Sequence, residues 1–538
     1  MVRALAGVVL SAFLSAPVIA AATDAAPSFE AADVHASPYR RFPDMDQGSL
    51  RGDRYVLRQA TMVDMIATAY GVDQSYVQGG PNWLERDRFD VIAKAPARTP
   101  PATLKLMLKC FIGRSVQAYD SPRRQASTAY VLSAGKGKPK LKEAEGSGEA
   151  ECKDQEPPEK PAPDTVRQIV IDCHHSTMEE LAQNLHDWAG GYLTYPVVDS
   201  TGLKGSFDFE IKWTPRGLLQ KAGADGISIF DAVDKELGLK LDLETAPRPV
   251  LIVDSVNQEP TANALGLEKI LPTPPPPRFD VAVIKPSKPD EDSRGRINGG
   301  EIDVHNVPLR FLITFAWDLN PNDNEMLAGA PKWLDSDRFD ILAKVVNDAP
   351  EQAPSAIDEE DLRPMLQALL AERFQSKTHM EDRPISAYTL IAVNPKLKKA
   401  DPLSRTRCKE GPGPDGKDPR IANPVLNRLI SCQNMTTAQI GEELQRIAAG
   451  YIYSRVLDTT GLKGSWDFTL SFSSANLTKG RGDGSETNSS GTSAAPDPNG
   501  AVTLFDAVSK QLGLKLEKQR RPVQVLVIDH IEEKPTDN

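Results

Sequence analysis

Positive charge is in deficit: 63 lysines and arginines face 74 aspartates and glutamates, for a formal net charge of −11 and a pI near 5.4. Nucleic-acid binders need a basic face for phosphate, and so do proteins held on an anionic bilayer. The composition therefore argues against both as the main partner. Long apolar runs are missing as well. Beyond the N-terminus nothing approaches the ~20 apolar residues of a membrane span, so no transmembrane segment is expected after removal of a leader. Catalytic signatures are also lacking. The chain has no His-Glu-x-x-His, no Gly-x-Ser-x-Gly, no P-loop and no Gly-x-Gly-x-x-Gly after a strand. These absences remove the zincin, α/β-hydrolase and nucleotide-binding readings, and no catalytic residue, cofactor or metal ligand is expected.

Proline is in excess, 43 of 538 residues or about 8% against a typical ~5%, which points to linkers. Arg3 provides a short positive region, Ala4 to Ala16 an apolar stretch too short for a comfortable span, and Pro17 a break. Residues 1–22 thus read as a signal peptide cleaved after Ala20 or Ala22, with no cysteine there to take a lipid. The expected location is the periplasm or the exterior.

The chain also contains itself. Gly79–Asp90, with Trp83-Leu84 and Asp87-Arg88-Phe89-Asp90, returns as Gly329–Asp340; Pro139–Lys142 returns as Pro395–Lys398. Asp199–Phe209 returns as Asp458–Phe468, and Leu237–Leu241 as Leu512–Leu516. Four blocks in one order mean a tandem duplication, with insertions between the blocks. The divisions expected are copy one in halves 28–142 and 165–263 around a solvated loop at 143–164, and a Pro-rich linker at 264–277. Copy two follows in halves 278–399 and 427–538 around a loop at 400–426, with a disordered insertion at 474–500. Arg481-Gly482-Asp483, inside that insertion, reads as coincidence.

The fold class is α+β, each copy being a two-part α/β module with small mixed or antiparallel sheets and packed helices. Helices are expected behind Thr61 with Asp64, from Pro308 to about Leu319 and over Glu360–Ala371. Another begins at Ser176 with Glu179 as its capping box, and its counterpart uses Thr436 and Gln439. A helix from Ser228 closes at Gly238, and a final strand pair ends at Val250–Asp254.

Cys152 and Cys173 match Cys408 and Cys432 in repeat register. In an oxidising compartment this reads as one disulfide per copy, Cys152–Cys173 and Cys408–Cys432. Cys110, set opposite Arg373, is left as a buried small hydrophobe. Cys173-His174-His175 with His186 fits no common zinc spacing, and copy two has Cys432-Gln433-Asn434 there. Asp87 and Asp90 invite an acid/base reading. The structural alternative puts Trp83 and Phe89 in the core, with Asp87, Arg88 and Asp90 paired on the surface. Asp208 and Asp467, between aromatic neighbours, are read the same way.

Phe279–Ser287, Pro331–Asp340, Asp458–Gly464 and Val525–His530 together resemble the exported "soil-associated" bacterial protein family. The resemblance implies export and brings no activity. Some relatives fuse this module to membrane metallopeptidases, whose motif is absent here. Copy one departs from the pattern at Ala31–Ala36, where the first strand has little apolar character. The second halves are also similar in element order to the short N-terminal docking domains of secretins and TonB-dependent receptors. The function expected is a non-catalytic periplasmic or extracellular binding module for a protein or envelope polymer, with bivalence across a stiff spacer. The alternative is an envelope hydrolase with an Asp/Arg site formed between the copies.

Overall fold

One plan of strands around a helix recurs four times along the chain, the helix being Met62–Tyr70, Leu309–Ala316 and their counterparts in the second halves. The computed structural model describes residues 27–536 except 46–47, 114–115, 119–122, 136, 147, 156–165, 264, 274–277, 289–292, 299–300, 322, 346–358, 414 and 479–499. The expected signal peptide, Pro274–Pro277 and Arg481–Asp483 lie outside the described residues.

In the first half-module β1 (Ala31–Ala36), β2 (Ser49–Arg51) and β3 (Arg54–Thr61) lead into the helix Met62–Tyr70. Then come β4 (Val77–Gly79), β5 (Arg88–Lys94), the helix Pro101–Ile112, β6 (Val116–Ala118) and β7 (Arg123–Ala134). The second has β8 (Lys142–Glu143), β9 (Glu151–Asp154), β10 (Ile169–Ser176), the helix Met178–Trp188, β11 (Val197–Asp199), β12 (Phe207–Trp213) and β13 (Leu239–Val256). Their antiparallel sheets run β1-β5-β3-β2 and β8-β12-β10-β9, which in chain order is the same topology. Each copy is thus a pair of like half-modules.

Copy two repeats both. Its first half has β14 (Val281–Pro286), β15 (Arg294–Asn298), β16 (Glu301–Pro308), β17 (Leu327–Ala328), β18 (Arg338–Lys344) and β19 (Lys377–Ala392). Its second has β20 (Lys398–Lys399), β21 (Arg407–Glu410), β22 (Arg428–Met435), β23 (Leu457–Asp458), β24 (Trp466–Phe472) and β25 (Leu514–His530). Among the described residues no helix is long and apolar enough to cross a membrane.

A strand exchange joins the halves. β7 and β13 pair antiparallel from Arg123↔Val250 to Leu239↔Ala134; β4 of the first half joins β13 of the second, and β11 joins β7. Leu251 and Val253 accordingly sit in the first half's core, while Tyr130 and Leu132 sit in the second's. The β19·β25 ribbon does the same for copy two, sending Leu526 and Ile528 into one core and Leu390 into the other. The expected final strand pair is therefore a single strand, β13, of 18 residues. Pro247 and Pro249 fit because they share one side of a strand that only β7 flanks at that point.

Helix starts follow their caps. Thr61 and Asp64 form a capping box, as do Thr436 and Gln439, and Gly238 closes its helix at φ 69°. The Ser176/Glu179 expectation is one residue out. Thr177 is the cap, its N–H donating to Glu180 at 2.8 Å. Cys110 also moves: buried Leu104, Met107, Leu108 and Ile112 match Leu362, Met365, Leu366 and Leu370, which places Ala368 opposite it, not Arg373. The loop segments carry structure too. β9 lies within 143–164, β21 and the helix Pro419–Ala422 within 400–426, and short helices at Leu267–Ile270 and Ala475–Thr478.

Every half-module bulges the strand before its first helix, including Leu309–Ala316, which starts behind Pro308 without a side-chain cap. Gln59, His175, Asn306 and Asn434 sit there at φ 51–53°, left-handed backbone that costs a non-glycine residue about 1–2 kcal/mol. An aspartate on the neighbouring strand holds each one. The four backbone N–H groups donate to Asp90, Asp208, Asp340 and Asp467 at 2.9–3.0 Å. This corrects the surface-pair reading of Asp90 and its counterpart Asp340, which are 7% and 6% exposed. A buried carboxylate is tolerated because Oδ1 accepts from Ser287 at 2.6 Å and from the Asn306 N–H at 3.0 Å, while Oδ2 faces Lys285 and His305, each at 3.7 Å.

Burial raises the Asp340 carboxyl, but Ser287, the Asn306 N–H, His305 and Lys285 outweigh it and hold it below the usual aspartate range. A depressed folded value means its stabilisation is complete above the ordinary aspartate pKa and is lost as pH falls through the folded value. Asp340→Ala should cost about 2 kcal/mol in urea unfolding at pH 7, since it orphans two donors. A loss under about 0.5 kcal/mol, the level of an ordinary surface change, would remove the bulge-holding role.

Candidate functional site

Arg405 precedes β21 and projects from copy two onto copy one. Its guanidinium donates to the carbonyls of Val77 (2.9 Å) and Gly79 (2.6 and 2.9 Å) and to the Glu85 carboxylate (2.9 Å). Gly79 ends β4 at φ 70°, so close to the Val253 carbonyl that a Cβ would lie 2.7 Å from it. Only glycine fits there without strain. Alongside, the Thr406 N–H donates to the Asn82 carbonyl at 2.9 Å, and Arg407 reaches Glu85 at 3.3 Å. Arg86 pairs with Glu442, which Arg455 also reaches at 2.7 Å.

Further contacts join Arg51 and Arg58 to Asp361, and Arg216 to Asp418 at 2.8 Å. Tyr195 donates to the Pro412 carbonyl at 3.3 Å. The copies share an interface, so they are not two free arms on a spacer.

That docking encloses a cleft of about 540 Å³. Copy one supplies the 37–45 segment, the Gln59 bulge, the helix start at Thr61–Asp64 and residues 85–88; copy two supplies 406–409 and one face of the helix Thr437–Ile447. The size suits a small ligand. Arg40, Arg41, Arg86, Arg88, Arg407, Lys409 and Arg446 line it against Asp44, Asp64, Glu85, Asp87, Glu442 and Glu443.

Several of these carboxylates are engaged within the protein. Glu443 pairs with Arg446, and Asp64 takes the Thr61 N–H at 2.8 Å and Gln74. Burial raises Glu85, but Arg407, Lys409 and Arg405 together bring it below the usual glutamate range. Lys409 differs. Its side chain keeps solvent access, crowding by the cleft and then by Arg407 lowers its pKa, and among the described residues no carboxylate lies within 4.0 Å of its ammonium. Arg41 has Nε and Nη1 buried without a hydrogen-bond partner.

The residues singled out by sequence fall elsewhere or turn structural. Cys152–Cys173 and Cys408–Cys432 are bonded, each joining directly opposed residues of adjacent strands, and Cys110 is a free thiol, half-buried where full burial was expected. Cys408 borders the cleft. His174 lies near Asp172 and Asp208 (3.5 and 3.7 Å), and His186 beside Asp187 (3.3 Å). Among the described residues no group of three or more His, Cys, Asp or Glu is placed to hold a metal. Asp87 accepts from Gln258 while Asp90 holds its bulge, so the two act separately. Trp83 and Trp333 pack at equivalent places against the first-half cores.

A family model described as a protein of unknown function (DUF3738) matches the chain twice, over residues 63–256 and 310–531. No curated protein and no solved structure matches.

Proposed function

The chain belongs to the DUF3738 family in two tandem copies, and from that premise we propose a non-catalytic binding protein of an exported compartment whose ligand lies in the cleft between the copies. Two disulfides and the leader-like first 22 residues support export, as does the resemblance to exported soil-associated proteins. The ligand carries an anionic group, carboxylate or phosphate, on a small molecule or on the end of a protein or envelope polymer.

Lys409 carries this reading. It is a cation at the cleft without a carboxylate in ion-pair range among the described residues, while Glu85, Glu442 and Glu443 already have arginine partners. With the neighbouring carboxylates already taken by arginines, the Lys409 ammonium is left open to an anionic group that enters the cleft.

The hydrolase alternative draws support from the same Asp/Arg-rich cleft between the copies. It needs a carboxyl that keeps its proton near neutral pH, and Glu85 is shifted the other way. Calorimetry with inorganic phosphate and with tetraglutamate tests the binding reading. At least one should bind the wild type, and Lys409→Glu should weaken that binding tenfold or more. Binding unchanged by the substitution, or no binding of either probe, sinks the reading. Cleavage of an ester or glycoside probe that Glu85→Gln abolishes would instead favour the hydrolase.

A further inference from the structure

The duplication supplies an internal control, because the equivalent side chains Phe89 and Phe339 face a cavity in copy one and an aromatic ring in copy two. In copy two Phe374 follows the helix Glu359–Arg373, is fully buried, and meets Phe339 edge-on at 5.2 Å. The strap after β25 closes over it: the Glu532 N–H donates to the Phe374 carbonyl and the Thr536 N–H to that of Arg373, both at 2.8 Å.

In copy one the equivalent of Phe339 is Phe89, and the equivalent strap is Asn257–Asn263. Between them lies a cavity of about 330 Å³, walled by Val34, Met62, Met65, Phe89, Phe111 and Ile112. Phe111 does not take the part of Phe374, since its ring turns to Phe29 at 6.3 Å. Side chains tie the strap down at two points, Gln258 on Asp87 (2.5 Å) and Asn263 on Asp33 (2.6 Å).

We propose that this cavity is a second ligand site, taking a neutral small molecule with one or two aromatic rings against Phe89 as Phe374 packs against Phe339. Several observations converge on that class. The walls are apolar apart from the strap, and they include two methionines, whose flexible thioethers adapt to ring faces and edges. The volume sits at the lower end for small-molecule sites, too small for a long acyl chain. The edge-to-face partner for a ring is already in place. Gln258 and Asn263 each give one amide hydrogen bond to an aspartate from the exposed strap over the opening, so that strap can yield to admit a ligand. The cavity is separate from the cleft residues that carry the anion-binding reading, so either proposal can fail alone.

The full-length mature protein should be titrated at neutral pH with 2-naphthol, a neutral two-ring fluorescent dye. The expected result is one site, weakened at least tenfold by Val34→Phe, which fills the cavity, and unchanged by Lys409→Glu. Phe374→Ala should open the corresponding space in copy two and raise the stoichiometry from one to two. Absence of dye binding by the wild type overturns the proposal. Equal binding by Val34→Phe, or an unchanged stoichiometry in folded Phe374→Ala, does so as well. Should Phe374→Ala fail to fold, the Val34→Phe comparison decides alone.

Discussion

Arg405→Ala is expected to release copy two from copy one, at a cost to docking of about 3 kcal/mol. The guanidinium is largely buried, with 10% of its side chain exposed against 14% for Glu85, and it satisfies two carbonyls and a carboxylate at once. Its removal leaves Glu85 with Arg407 alone and strands the carbonyl oxygens of Val77 and Gly79. The same variant should open the cleft, whose two walls come from different copies. Small-angle scattering should show a larger radius of gyration, and a double-mutant cycle with Glu85→Ala should give a clear coupling energy. An unchanged radius together with zero coupling would falsify the docking role.

The pH dependence has a definite sign. Because the folded pKa of Glu85 is depressed, its share of docking is complete above the ordinary glutamate pKa and is lost as pH falls through the lower folded value. Acid should therefore loosen the copies, starting below about pH 4.

Serine at both Cys408 and Cys432 should lower the stability of copy two by about 3 kcal/mol, from loop closure over a separation of 24 residues. The Cys152/Cys173 pair spans 21 residues and should cost about as much. The second consequence separates the two. β21 is an edge strand paired only with β22; it carries Arg407 and follows directly on Arg405 and Thr406. Losing the Cys408 bridge should thus also weaken docking, whereas losing the Cys152 bridge should not. Non-reducing peptide mapping should recover both pairs with Cys110 as the free thiol. Cys110 found in a disulfide, or identical docking in the two variants, would count against this assignment.

The duplication was legible because blocks such as Pro331–Asp340 keep residue identity, and the helices because caps and apolar spacing keep their physics. Errors arose where local chemistry offered two answers. Ser176-Thr177 before Glu179-Glu180 allows two capping boxes, and the repeat offset, which pairs Thr177 with Thr436, decides between them. Asp90 and Asp340 looked like surface groups because strand alternation ignores the bulge that turns a backbone N–H toward them. The half-module repeat left a faint trace in the aromatic-Asp pairs ending in Asp90, Asp208, Asp340 and Asp467.

The cleft was not legible, since interface residues are where the copies differ. Arg405 and Arg407 stand opposite Glu149 and Glu151 in repeat register, and Arg86 opposite Ser336. A search for sameness passes over such positions, yet reversed charge between duplicates is the signature of a surface adapted to its sister.

The strand exchange has a kinetic consequence. Val77–Gly79 finds its sheet partner only when Leu251–Val253 has emerged, and Arg123 waits for Val250, so neither half of a copy can close until the whole copy has been delivered. Copy two repeats the delay between Lys377 and His530. Contacts this distant in sequence slow folding and leave strand edges unpaired meanwhile. A chain cut between half-modules should therefore aggregate, whereas a cut after residue 263 leaves copy one with every strand partner it uses.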